Sequence, residues 1–205
     1  METTEIQKRF IIIGAIAAIL ATVIYPIVFY SSFSLKSNLI LELFLGFSFG
    51  FVFYGLFRFI RINRDSVCLQ VGLLTGILAA FTYVLKSGTF ASMTTPLEGI
   101  LVQGDQSFVY ALTTRLYTGI NFIWEILIGA AIFSVSIAFF HQPRPGKVIA
   151  AAGIIIALAI IINSVIAFPE IARDENFSWL GIALPVWLLI VGLLMIFSQK
   201  WIKVK

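Results

Sequence analysis

The sequence predicts an all-α fold: a polytopic transmembrane helical bundle of about six spanning helices, N-in and C-in. Three observations predict it. Of 205 residues, 60% are hydrophobic and 12% charged, about half the charged fraction of soluble domains. Several apolar runs approach or exceed the roughly 20 residues needed to cross the hydrocarbon core. Lys and Arg gather at alternate ends of those runs. A single transmembrane domain over 1–205 accounts for all three.

The first expected span, 10–30, follows Lys8 and Arg9. Its apolar stretch exceeds the core of a signal peptide, so it is expected to be retained. The second, 38–60, ends among Arg58, Arg61 and Arg64, and the third covers 67–85. The longest polar stretch, 86–115, is expected to be an external loop. Gly88, Pro96, Gly99 and Gly104 oppose a continuous helix there, while Phe90, Leu97, Ile100, Leu101 and Val102 would pack it onto the bundle or the interface. The fourth span, 116–140, stops at the turn His141-Gln142-Pro143-Arg144-Pro145-Gly146, which two prolines stiffen. The fifth, 148–168, is dominated by Ala and Ile and halts at Pro169, and the sixth covers 179–197.

Orientation follows from the basic residues. With the N-terminus inside, Lys8, Arg9, Arg58, Arg61, Arg64, Arg144, Lys147, Lys200, Lys203 and Lys205 are cytoplasmic, and only Lys36, Lys86, Arg115 and Arg173 lie outside. Trp179, Trp201, Tyr25, Tyr30, Tyr83 and Tyr117 fall near span ends, as an interfacial aromatic belt requires, whereas Trp187 sits deeper. The net charge of +4 thus has a topological origin. No dense basic patch interleaves with aromatics, so nucleic acid is not an expected partner. No internal repeat is visible, and the paired broken helices of many transporters are missing.

Two carboxylates stand inside apolar spans, Glu42 and Glu125. Facing lipid at mid-bilayer, each would cost a few kcal/mol, so both are expected to face the bundle interior. At about 1.5 Å per residue, Glu42 lies about 6 Å and Glu125 about 13 Å below the outer ends of their spans. Thr114, Thr118, Asn121 and Glu125 recur at three- and four-residue intervals, one face of a helix. Asn163 and Ser164 reach a similar depth on the fifth span, Arg115 caps the fourth, and Tyr25, Thr82 and Tyr83 come from two more outer ends. The expected site is an outward-opening polar pocket of Glu42, Glu125, Asn121, Arg115, Asn163 and Thr118. There a cation, a ligand amine or a proton would meet the carboxylates. The competing reading makes each Glu a packing residue hydrogen-bonded to Asn121 or Asn163.

Elsewhere the chemistry is sparse. His141 is the sole histidine and lies in a turn, and Cys68 is the sole cysteine, so neither a metal site nor a nucleophilic triad is expected. No cofactor is expected. Gly46 with Gly50 and Gly72 with Gly76 form GxxxG pairs that mark close helix contact. The arginines at 58, 61 and 64 fit topological anchoring, or contact with anionic lipid headgroups.

From the fourth span onward the chain resembles a family of bacterial six-helix integral membrane proteins, a domain of unknown function. The likeness is carried by Ala138-Phe139-Phe140, the turn Gln142-Pro143-Arg144-Pro145-Gly146, the fifth span with Asn163-Ser164 near its end, and Pro185-Val186-Trp187-Leu188-Leu189-Ile190-Val191-Gly192. A fainter echo covers 57–64. The resemblance implies a multi-pass protein of the bacterial inner membrane and transfers no site residue.

The leading functional expectation is small-molecule or ion binding at the outer pocket, extending to transport. Behind it stands a non-catalytic assembly subunit, docking a membrane-protein partner or a second copy of itself through its glycine faces and external loop. Last comes an intramembrane enzyme acting on lipid. For that role only Glu42, Glu125 and Arg115 could supply acid-base or anion-binding groups. Membrane lipids are partners in every case.

Overall fold

A computed structural model describes residues 5–30, 34–62, 65–94, 106–142, 144–168 and 180–198. Six helices make up the fold: α1 (Glu5–Tyr30), α2 (Leu35–Arg61), α3 (Val67–Thr94), α4 (Gln106–Phe139), α5 (Arg144–Ala167) and α6 (Leu180–Phe197). Five contain segments long and apolar enough to cross a membrane: Glu5–Val28, Lys36–Arg61, Val67–Ala91, Tyr110–Phe139 and Gly146–Ala167. The apolar part of α6, Ile182–Phe197, is shorter, about 24 Å against a hydrocarbon core of roughly 30 Å.

The helices end later, or begin earlier, than apolarity alone indicates. α3 runs on past Leu85 through Lys86 to Thr94, and α4 starts at Gln106. Much of the expected 86–115 loop is therefore helix, and Gly88 lies within α3 rather than breaking it. In a packed antiparallel pair each helix lends the other a surface beyond the membrane core, which offsets the small helix penalty of one glycine. Residues 95–105 lie outside the described residues, and so do Pro143, Pro169, Trp179 and Trp201.

Each helix packs on its sequence neighbours, and α6 also packs on α1, closing the order into a ring. α2 additionally touches α4, so α3 sits outside the α2–α4 junction. The centre is filled by Phe49, Phe53, Leu56, Ile128, Ile132, Phe139, Trp187 and Leu188, all buried. The outward faces carry Ile, Leu, Val and Phe, for example Phe47, Leu74, Phe81, Ile155 and Ile166. That is the apolar exterior a hydrocarbon solvent demands.

Small residues set the helix spacing. A Cβ on Gly14 would lie 2.6 Å from the Gly55 Cα, and one on Gly72 would lie 2.7 Å from Val135 Cγ2. Gly46 faces Tyr83 and Val84, Gly50 faces Ala80, and Gly76 lies against the Phe53 ring. Both GxxxG pairs are thus used inside the bundle. At the end of the bundle where α2 closes, Gln142 Nε2 donates to the Ile60 carbonyl at 3.4 Å, tying the α4–α5 turn to α2. Arg58 donates through Nε and Nη2 to the Tyr54 hydroxyl at 3.0 and 2.7 Å, and Arg61 pairs with Asp65 at 3.0 Å. Arg64 lies outside the described residues. Trp187, expected either packed inside or facing lipid, is inside and donates Nε1–H to the Ile149 carbonyl at 3.3 Å. Tyr25 and Tyr83 are core residues, not members of an interfacial belt.

Gly14→Ala should therefore force α1 from α2 and destabilise the protein by about 1–3 kcal/mol. Gly119→Ala, where nothing stands within 4 Å of an added Cβ, should be neutral or slightly stabilising. Thermal unfolding midpoints in detergent measure both; equal losses would contradict the close α1–α2 contact.

Candidate functional site

Antiparallel registers assemble a polar and aromatic layer in the half of the bundle where α1 ends and α2 begins. On the α2–α3 seam, the pairings of Gly46 with Tyr83 and Gly50 with Ala80 set Glu42 level with Ser87 and Gly88. On the α3–α4 seam, Tyr83 stacks edge-on to Trp124 at 5.1 Å between ring centroids, and Phe90 meets Tyr117 at 5.7 Å. This register puts Lys86 at the height of Asn121. On the α4–α5 seam, Phe122 meets Phe168 at 4.6 Å, and Glu125 faces Ser164.

Glu125 accepts hydrogen bonds from two helices. Asn121, one turn earlier on the same face of α4, donates Nδ2–H to Glu125 Oε1 at 2.8 Å. From α5, Ser164 donates Oγ–H to Glu125 Oε2 at 2.7 Å. Ser164 is buried while Glu125 and Asn121 are half-buried, so the carboxylate is held firmly yet not sealed away. Two donors on an ionised acceptor form charge-assisted bonds, about twice the strength of neutral ones.

The other expected site residues take different places. Asn163 is half-buried beside Ser164, which is the residue that turns towards Glu125. Thr118 continues the α4 stripe, but its hydroxyl donates back to the Thr114 carbonyl at 2.9 Å. Thr82 does the same to the Leu78 carbonyl at 2.8 Å. Arg115 is exposed on α4, inside the helix rather than capping it. Glu42 is half-buried on the α2 face that meets α3. It lies about one and a half turns, ~8 Å, nearer the α1–α2 end than Glu125. The two carboxylates share a layer of the bundle, not a hydrogen bond.

One residue that sequence reasoning assigned to the outer surface belongs here. Lys86 is 7% exposed, and its Nζ lies 4.9 Å from the Trp124 ring centroid, 5.2 Å from Tyr83 and 5.7 Å from Tyr117. Three ring faces around one ammonium offset part of its desolvation, each contributing about 0.5–2 kcal/mol. In sequence a lysine at the close of an apolar run looks like any other residue at a span end, and only the packing of α3 on α4 sets its ammonium among these rings. Two buried polar atoms of α4 have no partner among the described residues: Trp124 Nε1 in this layer, and Thr114 Oγ1 about 15 Å nearer the start of the helix.

No group of three metal-ligating side chains exists among the described residues. Compared with known proteins, the chain matches no family model, no curated protein and no solved structure.

A double-mutant cycle of Lys86→Met with Tyr117→Leu should give a coupling free energy of about 0.5–2 kcal/mol in detergent unfolding. Strict additivity of the two changes would mean that the rings merely surround the ammonium without holding it.

Proposed function

We propose that this integral membrane protein binds a small cation at Glu125, reached from the outer face of a cell membrane. Bound there, the cation would be open to carriage across the bilayer. The observation that carries the reading is the Glu125 carboxylate, held between α4 and α5 by Asn121 and Ser164. A carboxylate inside an apolar bundle costs several kcal/mol unless it is paired or used. Helix packing does not need it, because glycine and alanine contacts already bring these helices together at Gly129 against Ile161 and Ala157. The Trp124 N–H of the same layer, buried and without a partner among the described residues, also favours a site that takes a ligand over one that only packs.

In this reading Glu42 and Lys86 set the field of the layer. Asn121 and Thr118 form the polar approach along α4, while Arg115 stands at its outer stretch. The charge distribution supports cytoplasmic termini, and the family resemblance of the second half supports a bacterial inner-membrane setting. The assembly-subunit reading gains nothing from the glycine pairs, which are spent within the bundle.

The test is ligand-dependent stability of the purified protein. A ligand at 100 times its Kd raises stability by about 2.7 kcal/mol. Titration with sodium, potassium, ammonium, methylammonium or acid should give a saturable rise in the unfolding midpoint with at least one of them. Glu125→Gln should lose that rise while retaining the fold, and Thr82→Val should keep it. A response identical in the wild type and Glu125→Gln would overturn the proposal, as would no saturable response to any of the five.

A further inference from the structure

The hydrogen bonds around Glu125 narrow what it binds. Ser164 Oγ lies 2.7 Å from Glu125 Oε2 and 2.7 Å from the Ile160 carbonyl oxygen of its own helix. A serine hydroxyl carries one hydrogen and two acceptor lone pairs. When Glu125 is ionised, that hydrogen goes to Oε2 or is shared, and one of the two short O···O approaches lacks a full hydrogen of its own. When Glu125 is neutral, its O–H donates to Ser164 Oγ, and Ser164 donates to the Ile160 carbonyl. Every short approach then holds a hydrogen. Asn121 Nδ2 donates to Oε1 in both states. The switch between them needs one hydroxyl rotation and no movement of a helix.

The groups aimed at the carboxylate are an amide N–H and a serine O–H. A metal ion or an ammonium ligand needs oxygen lone pairs turned towards it, whereas a proton needs only the carboxylate and an acceptor beyond it. We propose that Glu125 is a reversible proton-binding site and that Ser164, backed by the Ile160 carbonyl, is the acceptor that holds its acid form; this rests on the reading of Glu125 as the binding group.

The step balances simply. A hydronium ion in the outer polar layer gives its proton to a lone pair of Oε2 and becomes water. A new O–H bond forms, the Ser164 hydroxyl turns from Oε2 to the Ile160 carbonyl, and the site passes from charge −1 to 0. Release to water reverses each change. The stripe Asn121, Thr118 and Thr114 leads from Glu125 along α4 towards its N-terminal end. Among the described residues the charged and titratable groups at this end of the bundle are Lys86 and Tyr83 on α3, Glu42 on α2, Tyr25 on α1, and Arg115 and Tyr117 on α4 itself. α5 presents none here, since Arg144 and Lys147 stand at its opposite end.

Infrared difference spectroscopy of the full chain in lipid bilayers, titrated with pH and with glutamate side chains labelled in ¹³C, reads this directly. The expected result is a carboxylic C=O band that appears as the pH falls. It should carry the isotope shift, vanish in Glu125→Gln, persist in Glu42→Gln and move to higher frequency in Ser164→Ala, where the acid has lost its acceptor. A band of full intensity in Glu125→Gln would overturn the proposal, and an unmoved band in Ser164→Ala would remove Ser164 as the acceptor of the acid. Should Glu125→Gln fail to fold, the Ser164→Ala shift and the isotope label carry the decision. If no carboxyl titrates while sodium, potassium, ammonium or methylammonium still gives a Glu125-dependent rise in the unfolding midpoint, the proton assignment fails and cation binding stands.

Discussion

Hydrocarbon supplies no hydrogen bonds, and that single constraint orders the polar chemistry of this protein. Each backbone group must be satisfied within its helix, and many of the side-chain hydroxyls follow the same rule. Ser48, Thr75, Thr82, Ser87, Thr89 and Thr118 all donate to the carbonyl four residues back. Thr22 adds the Pro185 carbonyl of α6 to its own-helix acceptor, Ala18. Against that background a hydroxyl that reaches a charged group on another helix stands apart, and Ser164 on Glu125 is such a case. Its partner is the one acidic side chain of α4, placed where mutual contact of small residues has already brought α4 and α5 together.

The layer around this pair is built largely from aromatic surface. Phe49, Tyr83 and Trp124 bring α2, α3 and α4 to one point, and the Lys86 ammonium rests on two of those rings and on Tyr117. Ring faces carry partial negative charge, so they offset part of the cost of taking the Lys86 ammonium out of water.

Much of this was legible in the residues. The three- and four-residue spacing of Thr114, Thr118, Asn121 and Glu125 defines one helix face whatever the helix packs against, and the energetic penalty on Glu125 turns that face inward. Apolar run lengths likewise locate the helices. What could not be read depends on packing. Asn163 and Ser164 are adjacent, about 100° apart around the helix, and only the α4–α5 register decides that Ser164 meets the carboxylate. Lys86 follows an apolar run and so resembles an anchor; it becomes a core residue because α3 continues to Thr94 and α4 supplies two of the three rings. Tyr25 and Tyr83 mislead for the same reason, since position near a span end says nothing of which way a ring turns.

The Glu125 side chain turns into the α4–α5 seam, where it meets Ser164. Solid-state NMR on the protein in bilayers, with labelled glutamate and serine, measures this by through-space transfer from the Glu125 carboxyl carbon. The account predicts a correlation to the Ser164 β-carbon at hydrogen-bond range, lost in Ser164→Ala. A Glu125 carboxyl correlated instead with lipid acyl-chain protons, and not with Ser164, would contradict it.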